Sequence, residues 1–298
     1  MAGPCHRSSW DTGVFPLEKK AGLSDITMVH KMLITLGALI LILLPALTRS
    51  QCYQGNTVFG DGEDISYTVH YNWGPIWVDA GLVTFKAKLE KKGEKQVWHL
   101  TSSGKTYPSY DVLFKVRDYY ETWVDPETFH TINFKRYIYE GGYTLVNTLN
   151  FDHEKNKIYS STKSNNNPVR FDTVAIQPCA FDMLAAVYFT RTLDMGHIPM
   201  YQKKQVSVVI DDQVYNIFIR PLAKEVVENN DGKRYHCIKL SAKMVEGTIF
   251  KGDEDVLVWI TDDENHIPIY IEAKILVGTI KAYLKEAKGL RNPFKSLL

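Results

Sequence analysis

The sequence predicts a mainly β protein, built as two runs of antiparallel strands that form a curved sheet or incomplete barrel, with one short helix at the crossover. Three observations carry that reading. Apolar and polar residues alternate through most of the chain, and a period of two marks strands with one buried face. Asp, Asn and Gly gather between the alternating runs, and these residues tolerate the positive φ of hairpin turns. A single segment, near the middle of the stretch from residue 51 to the C-terminus, departs to helical spacing.

The N-terminus comes first in chain order. Residues 1–27 are polar, show no targeting pattern, and are set aside as an over-called leader; initiation at Met28 or Met32 would give an ordinary secretory precursor. Residues 28–50 read as a signal peptide: His30 and Lys31 precede an apolar run from Met32 to Leu47, with Thr48 and Ser50 at −3 and −1 of a cut before Gln51. A membrane span needs ~20 apolar residues, and this run is shorter and holds Pro45, so cleavage is expected. Lipid attachment at Cys52 is not expected, because Arg49, Ser50 and Gln51 do not make a small apolar approach to it.

The chain from 51 to 298 is then one β-rich domain with two halves, about 51–165 and 179–298. In the first half "DISYTVHYNWG" places Ile65, Tyr67, Val69 and Tyr71 on one side, "GLVTFKAKLE" does the same with Val83, Phe85, Ala87 and Leu89, and "KQVWHLTSSGK" continues. The polar stretch "SSTKSNNNPVR" at 160–170 is expected to be an exposed loop between the halves. In "PCAFDMLAAVYFTRTL", Phe181, Leu184, Ala185, Tyr188 and Phe189 fall at i, i+3, i+4, i+7 and i+8, the stripe of a short helix over 179–193. The second half has hairpins about Asp211-Asp212 and about Asn229 to Gly232. About five or six strands are expected on each side of the helix.

Charge excludes some partners. The whole chain carries +1; residues 1–50 hold five basic and three acidic side chains, so the remainder carries −1. No basic stripe suited to nucleic acid is present, and no electrostatic binding to membranes is expected. Beyond residue 50 there remain Cys52, Cys179 and Cys237, which allow one bridge with a free thiol or three buried thiols.

Chemistry is sparse. No Gly-x-Ser-x-Gly elbow, His-Glu-x-x-His pair or phosphate-cradling glycine loop occurs, so no catalytic residue, metal or cofactor is assigned. The acidic cluster Asp262, Asp263 and Glu264, with His266 beyond it, sits between apolar runs and lacks the spaced oxygens of a calcium loop, so it reads as a hairpin turn. Asp61, Glu63 and Asp64 could serve glycoside hydrolysis only if two carboxyls faced one another, which makes hydrolysis of an envelope polymer the least favoured reading. Aromatic residues offer more: Trp73, Trp77, Trp123, Tyr188 and Trp259 are the candidate lining of a site for an apolar ligand. Trp73 and Trp77 flank Gly74-Pro75, which interrupts a strand and would display a ring at a rim.

"DMLAAVYFTR" at 182–191 and "VWITDDENHIPIYIEAKILVG" at 258–278 resemble the two signature stretches of the domain of unknown function 3108 family, exported bacterial proteins of Gram-negative envelopes. Asp182, Leu184, Ala186, Tyr188 and Arg191 match in the first stretch, where Met183 stands for the usual Pro and Ala185 for the usual Ser. Trp259, Thr261, Asp263, Pro268 and Gly278 match in the second, and the likeness extends back to Gly81. The resemblance implies export to the periplasm or outer envelope. It also implies an architecture similar to the periplasmic half-barrel lipoprotein carriers, a β-sheet around an apolar cavity plugged by a helix. The expected function is non-enzymatic binding of a lipid or lipidated envelope protein. The alternative is a structural or assembly component acting through a sheet edge or the Trp73 to Trp77 rim.

Overall fold

A computed structural model describes residues 52–73, 76–243, 255–274 and 278–298. The leader and signal segment, the Gly74-Pro75 break and the side chain of Trp73 lie outside the described residues. Residues Gln51–Leu298 form one compact unit.

Fifteen strands are described. The first eight are β1 (Glu63–Trp73), β2 (Ile76–Lys92), β3 (Lys95–Thr106), β4 (Arg117–Val124), β5 (Thr131–Glu140), β6 (Tyr143–Asp152), β7 (Lys157–Ser164) and β8 (Arg170–Ala175). A short β9 (Ala180–Asp182) leads into the helix α1 (Met183–Thr192). Then follow β10 (Lys204–Ile210), β11 (Gln213–Glu228), β12 (Arg234–Lys243), β13 (Asp255–Thr261), β14 (Pro268–Lys274) and β15 (Thr279–Lys288). All join one sheet in the order β8-β7-β6-β5-β4-β3-β2-β1-β15-β14-β13-β12-β11-β10-β9. Neighbours are antiparallel except β9 with β10, so the sheet is large, mixed and open, with β8 and β9 as its edges.

The two runs of strands are therefore not separate sheets. β1 pairs with β2 on one side and with β15 on the other, fusing the runs at their outermost ends in sequence. The first run has eight strands rather than five or six. Residues 160–164 belong to β7 and Ser160 is buried, so the loop expected over 160–170 shrinks to the turn at 165–169. Polar Ser and Thr concealed that strand, because Asn147 satisfies Ser160 and Thr162 across the pair with hydrogen bonds. The Asp211-Asp212 turn is found, with both residues at positive φ, 48° and 62°, as a two-residue hairpin with this twist requires. Its tip reaches back across the open side, where Asp211 pairs with Arg136 of β5 and Asp212 with Arg170 of β8.

Bulges bend the sheet. Register shifts occur at Ser66/Tyr67, Val69/His70, Trp123/Val124, Pro221/Ala223 and Trp259/Ile260. Two glycines permit close backbone approaches. A side chain at Gly81 would run into the carbonyl of Lys105, and one at Gly278, where φ is +87°, into that of Asn72.

The helix is shorter than the expected 179–193, because residues 180–182 are extended as β9 and pair with β10. Asp182 is its N-cap: the carboxylate accepts from the amides of Leu184 and Ala185 at 2.9 and 3.0 Å. The same buried carboxylate accepts from the hydroxyls of Thr122 and Thr131, both at 2.7 Å, fixing the helix start to β4 and β5. Leu184, Ala185, Tyr188 and Phe189 are buried against Phe59, Phe129 and Phe134. Tyr188 meets Phe59 with ring centroids 4.9 Å apart, and Phe189 stacks on Phe181 at 4.3 Å. A disulfide joins Cys52 to Cys179, pinning the chain before β1 to the entry of the helix, and Cys237 is a buried free thiol.

Candidate functional site

The sheet does not close over all of α1. One flank of the helix faces β1, β2 and β10 to β14 across a cavity of about 350 Å³. Parity supplies the lining: Val208 and Ile210 of β10, Ile217 and Ile219 of β11, Leu240 and Ala242 of β12, and Val256, Val258 and Ile260 of β13 all turn inward. The helix contributes Met183, Ala186, Val187, Tyr188, Thr190 and Arg191. A volume of this size lies at the lower end of the ~300–1,000 Å³ of small-molecule sites, which are mostly apolar with a few placed polar groups.

Those polar groups gather at the C-terminal end of the helix. Arg191 donates to both oxygens of Glu63, at 2.6 and 2.9 Å, and to the carbonyl of Asn265 at 3.1 Å. Burial works against the Arg191 charge, but the Glu63 carboxylate more than offsets it and holds the guanidinium protonated. His266 donates from Nδ1 to the Arg191 carbonyl at 2.7 Å, placing its ring at the cavity wall. Burial pushes the hydroxyls of Tyr67 and Tyr188 well above the ordinary tyrosine range, so both line the site as neutral phenols. This end is already neutralised within the protein. Among the described residues, the Arg191 charge at this end is paired with Glu63 rather than offered to a ligand.

The sequence model of the family described as "Protein of unknown function (DUF3108)" matches residues 66–285. The chain belongs to the DUF3108 family. No curated protein matches it. Among solved structures, a "Beta-barrel-like Protein of Domain of Unknown Function DUF1849 from Brucella abortus" aligns with 78% of this chain and 99% of its own, at 8% identity and a TM-score of 0.49.

In this DUF3108 protein the signature residues divide into cavity wall and brace. Tyr188, Arg191 and Pro268 line the cavity, whereas Asp182 caps the helix. Asp263 accepts from Thr261 Oγ1, the Asn265 amide and the Ser296 amide at 2.8, 3.0 and 3.1 Å, so the acidic cluster is a turn that anchors the C-terminal segment. Asp262 pairs with Lys224, and Glu264 with Lys295.

The tryptophans correct the expectation placed on them. Because Val258 and Ile260 face the cavity, Trp259 must face away; it packs on Tyr270 at 4.7 Å under Lys239 and donates to Glu225. Trp123 likewise turns outward, since Thr122 and Val124 are buried within. It stacks on His99 at 4.6 Å with the Lys92 ammonium 4.5 Å from its ring. Trp77 is 44% exposed beneath Lys281. None of these three rings lines the cavity.

Aliphatic residues of β10 to β13 form most of the wall, and nothing in their sequence singles them out from other strand residues. Glu63 stands out in the sequence only as a candidate acid for hydrolysis. The parity that sends Ile65 and Tyr67 inward also sends Glu63, which is the signal that could have found it. The three carboxylates of that stretch are committed elsewhere: Glu63 to Arg191, Asp61 to the Leu89 amide, and Asp64 to Lys86.

Proposed function

We propose that this protein is an exported envelope binding module that holds one acyl chain, or a similarly slender apolar molecule, between α1 and strands β10 to β14. The single observation that carries the reading is the aliphatic cavity of about 350 Å³ beside a capped and braced helix. Each methylene moved from water into such a site contributes about 0.8 kcal/mol, so affinity would come from chain length rather than head-group charge. The internal pairing of Arg191 with Glu63 supports the same preference for uncharged ligand. The modest volume favours a single chain over a multiply acylated partner.

Export rests on the signal segment at 28–50. The Cys52–Cys179 bridge supports an oxidising compartment and engages the thiol that lipid attachment would need.

The test is native mass spectrometry of the protein recovered from its own cells, followed by solvent extraction, beside titration with a fluorescent fatty acid. A co-purifying acyl compound and saturable binding are expected, both lost in Ala186→Trp, which fills the cavity from the helix side. Val208→Trp repeats the test from the sheet side, and near-ultraviolet circular dichroism establishes that each variant is folded. A clean protein mass together with no saturable uptake of the probe would reject the reading.

A further inference from the structure

The β3–β4 loop carries Val112, the most exposed large apolar residue among those described, within a run of three. Val112, Leu113 and Phe114 are consecutive and 89%, 68% and 54% exposed. Apolar residues scattered singly on a surface need no explanation, but a contiguous cluster does.

The loop is built to hold that exposure. Tyr110, Leu113 and Phe114 donate backbone bonds to the carbonyls of Tyr107, Tyr110 and Tyr110 at 2.8, 2.9 and 3.0 Å, winding the segment into a tight turn. Asp111 accepts from Thr106 Oγ1 at 2.6 Å and pairs with Arg117, which locks the base of the turn and neutralises the acid nearest the tip. The Gly141 amide donates to the Lys115 carbonyl at 2.9 Å, fixing the loop on the β5–β6 turn.

What lies beneath the tip has its own chemistry. Tyr119, Tyr137 and Tyr139 form a half-exposed ladder on the outward face of β4 and β5, with Tyr119 and Tyr137 ring centroids 6.2 Å apart. The Lys115 ammonium lies 5.6 Å from the Tyr139 ring. Aliphatic and Phe side chains at a narrow tip, amphipathic tyrosines behind them and a lysine at that level match the depth profile of a membrane interface. A protein interface of ordinary size covers ~800 Å² on each partner, and a protruding three-residue tip would need a matching pocket. A bilayer needs none.

The antiparallel register puts the loop at the same end of the sheet as the 141–142, 165–169 and 211–212 turns. The 165–171 segment adds a second apolar pair at that end, with Val169 exposed and Phe171 77% exposed.

We propose that the β3–β4 loop is a membrane-docking tip, in which Val112, Leu113 and Phe114 enter the interfacial zone of a lipid bilayer and the tyrosine ladder rests at the head groups. The proposal does not require the cavity to be occupied.

The experiment uses the full chain with an environment-sensitive nitrobenzoxadiazole label at Leu113→Cys, and in parallel at Glu154→Cys on the β6–β7 turn at the opposite end of the sheet. Vesicles of phosphatidylethanolamine and phosphatidylglycerol are added. The label at 113 is expected to shift to shorter wavelength and to be quenched by brominated acyl chains, while the label at 154 does neither. Adding Val112→Ser and Phe114→Ser is expected to weaken the response at 113 by about tenfold or more, since most of the inserting area is gone. No shift at 113, or equal shifts at both positions, overturns the proposal. So does a label at 113 that vesicles leave unchanged but that becomes shielded and cross-linked to a protein in cells.

Discussion

The guanidinium of Arg191 grips the carboxylate of Glu63 with two parallel hydrogen bonds of 2.6 and 2.9 Å, joining the last turn of α1 to the first residue of β1 across 128 positions of sequence. Both side chains are buried. Removing one partner strands the other charge away from water, so Glu63→Gln and Arg191→Met are each expected to cost about 3–5 kcal/mol. The double variant Glu63→Leu with Arg191→Met removes both charges and is expected to lose less than either single one. Urea denaturation decides it; a double variant less stable than both singles would contradict this account.

Asp182 supplies four hydrogen-bond acceptances from a fully buried position. Asp182→Ala deletes a helix cap, worth ~0.5–2 kcal/mol, and takes from the Thr131 hydroxyl its acceptor at ~1–3 kcal/mol, while Thr122 keeps the Asn133 carbonyl at 3.2 Å. A loss of about 2–4 kcal/mol is expected, with hydrogen exchange accelerating first at Leu184 and Ala185. Unchanged protection of those two amides would count against the capping role.

The Cys52–Cys179 bridge closes a loop with a sequence separation of 127, and a crosslink of that span is worth about 3–5 kcal/mol in chain entropy. Cys179→Ser should lower the melting temperature, and dithiothreitol should lower that of the native protein toward the same value without affecting the variant further. Burial pushes the Cys237 thiol up to about 12. It is therefore expected to resist maleimide at pH 8 and to react only after denaturation, as peptide mapping would show.

Asp118 responds to pH in the direction opposite to an ordinary salt-bridged carboxylate. Burial, with Glu140 beside it, raises its pKa to about 7. A carboxyl raised in the folded state contributes stability below its unfolded value near 4, and that contribution is lost as pH rises through about 7. The group is only half buried, so the effect after solvent screening is on the order of 1 kcal/mol. The melting temperature of the native protein should fall between pH 5 and pH 8 more steeply than that of Asp118→Asn. Parallel curves would rule Asp118 out as the source.

Much of the fold was legible because each element obeyed a local rule. The alternation of β1 to β3, the hairpins at Asp211-Asp212 and at Asn229 to Gly232, and the stripe of α1 all follow from the chemistry of a few adjacent residues. What was hidden was non-local. Nothing in Glu63 or Thr279 announces that β1 and β15 are neighbours, nor does Ser160 announce a buried strand, because the partner that satisfies it lies 13 residues away. The tryptophans drew attention by size, yet inward or outward is set by parity. Val258 and Ile260 take the inside at β13, and Trp259 takes the other side. Helix spacing likewise gave the buried stripe of α1 but not its first residue, which the pairing of β9 with β10 decides.

The pairing of β1 with β15 also governs the order in which this protein can assemble. Every other antiparallel contact in the sheet joins strands adjacent in the chain, and these can zip as hairpins while synthesis continues; the central seam must wait for the last strand. Until then two long strand edges face water where the finished protein has its middle, and such edges invite pairing with another chain. A chain shortened before Thr279 would keep its local hairpins and lose the join between them. This architecture therefore ties conformational completion to the delivery of β15, and places the greatest aggregation hazard in the interval just before it.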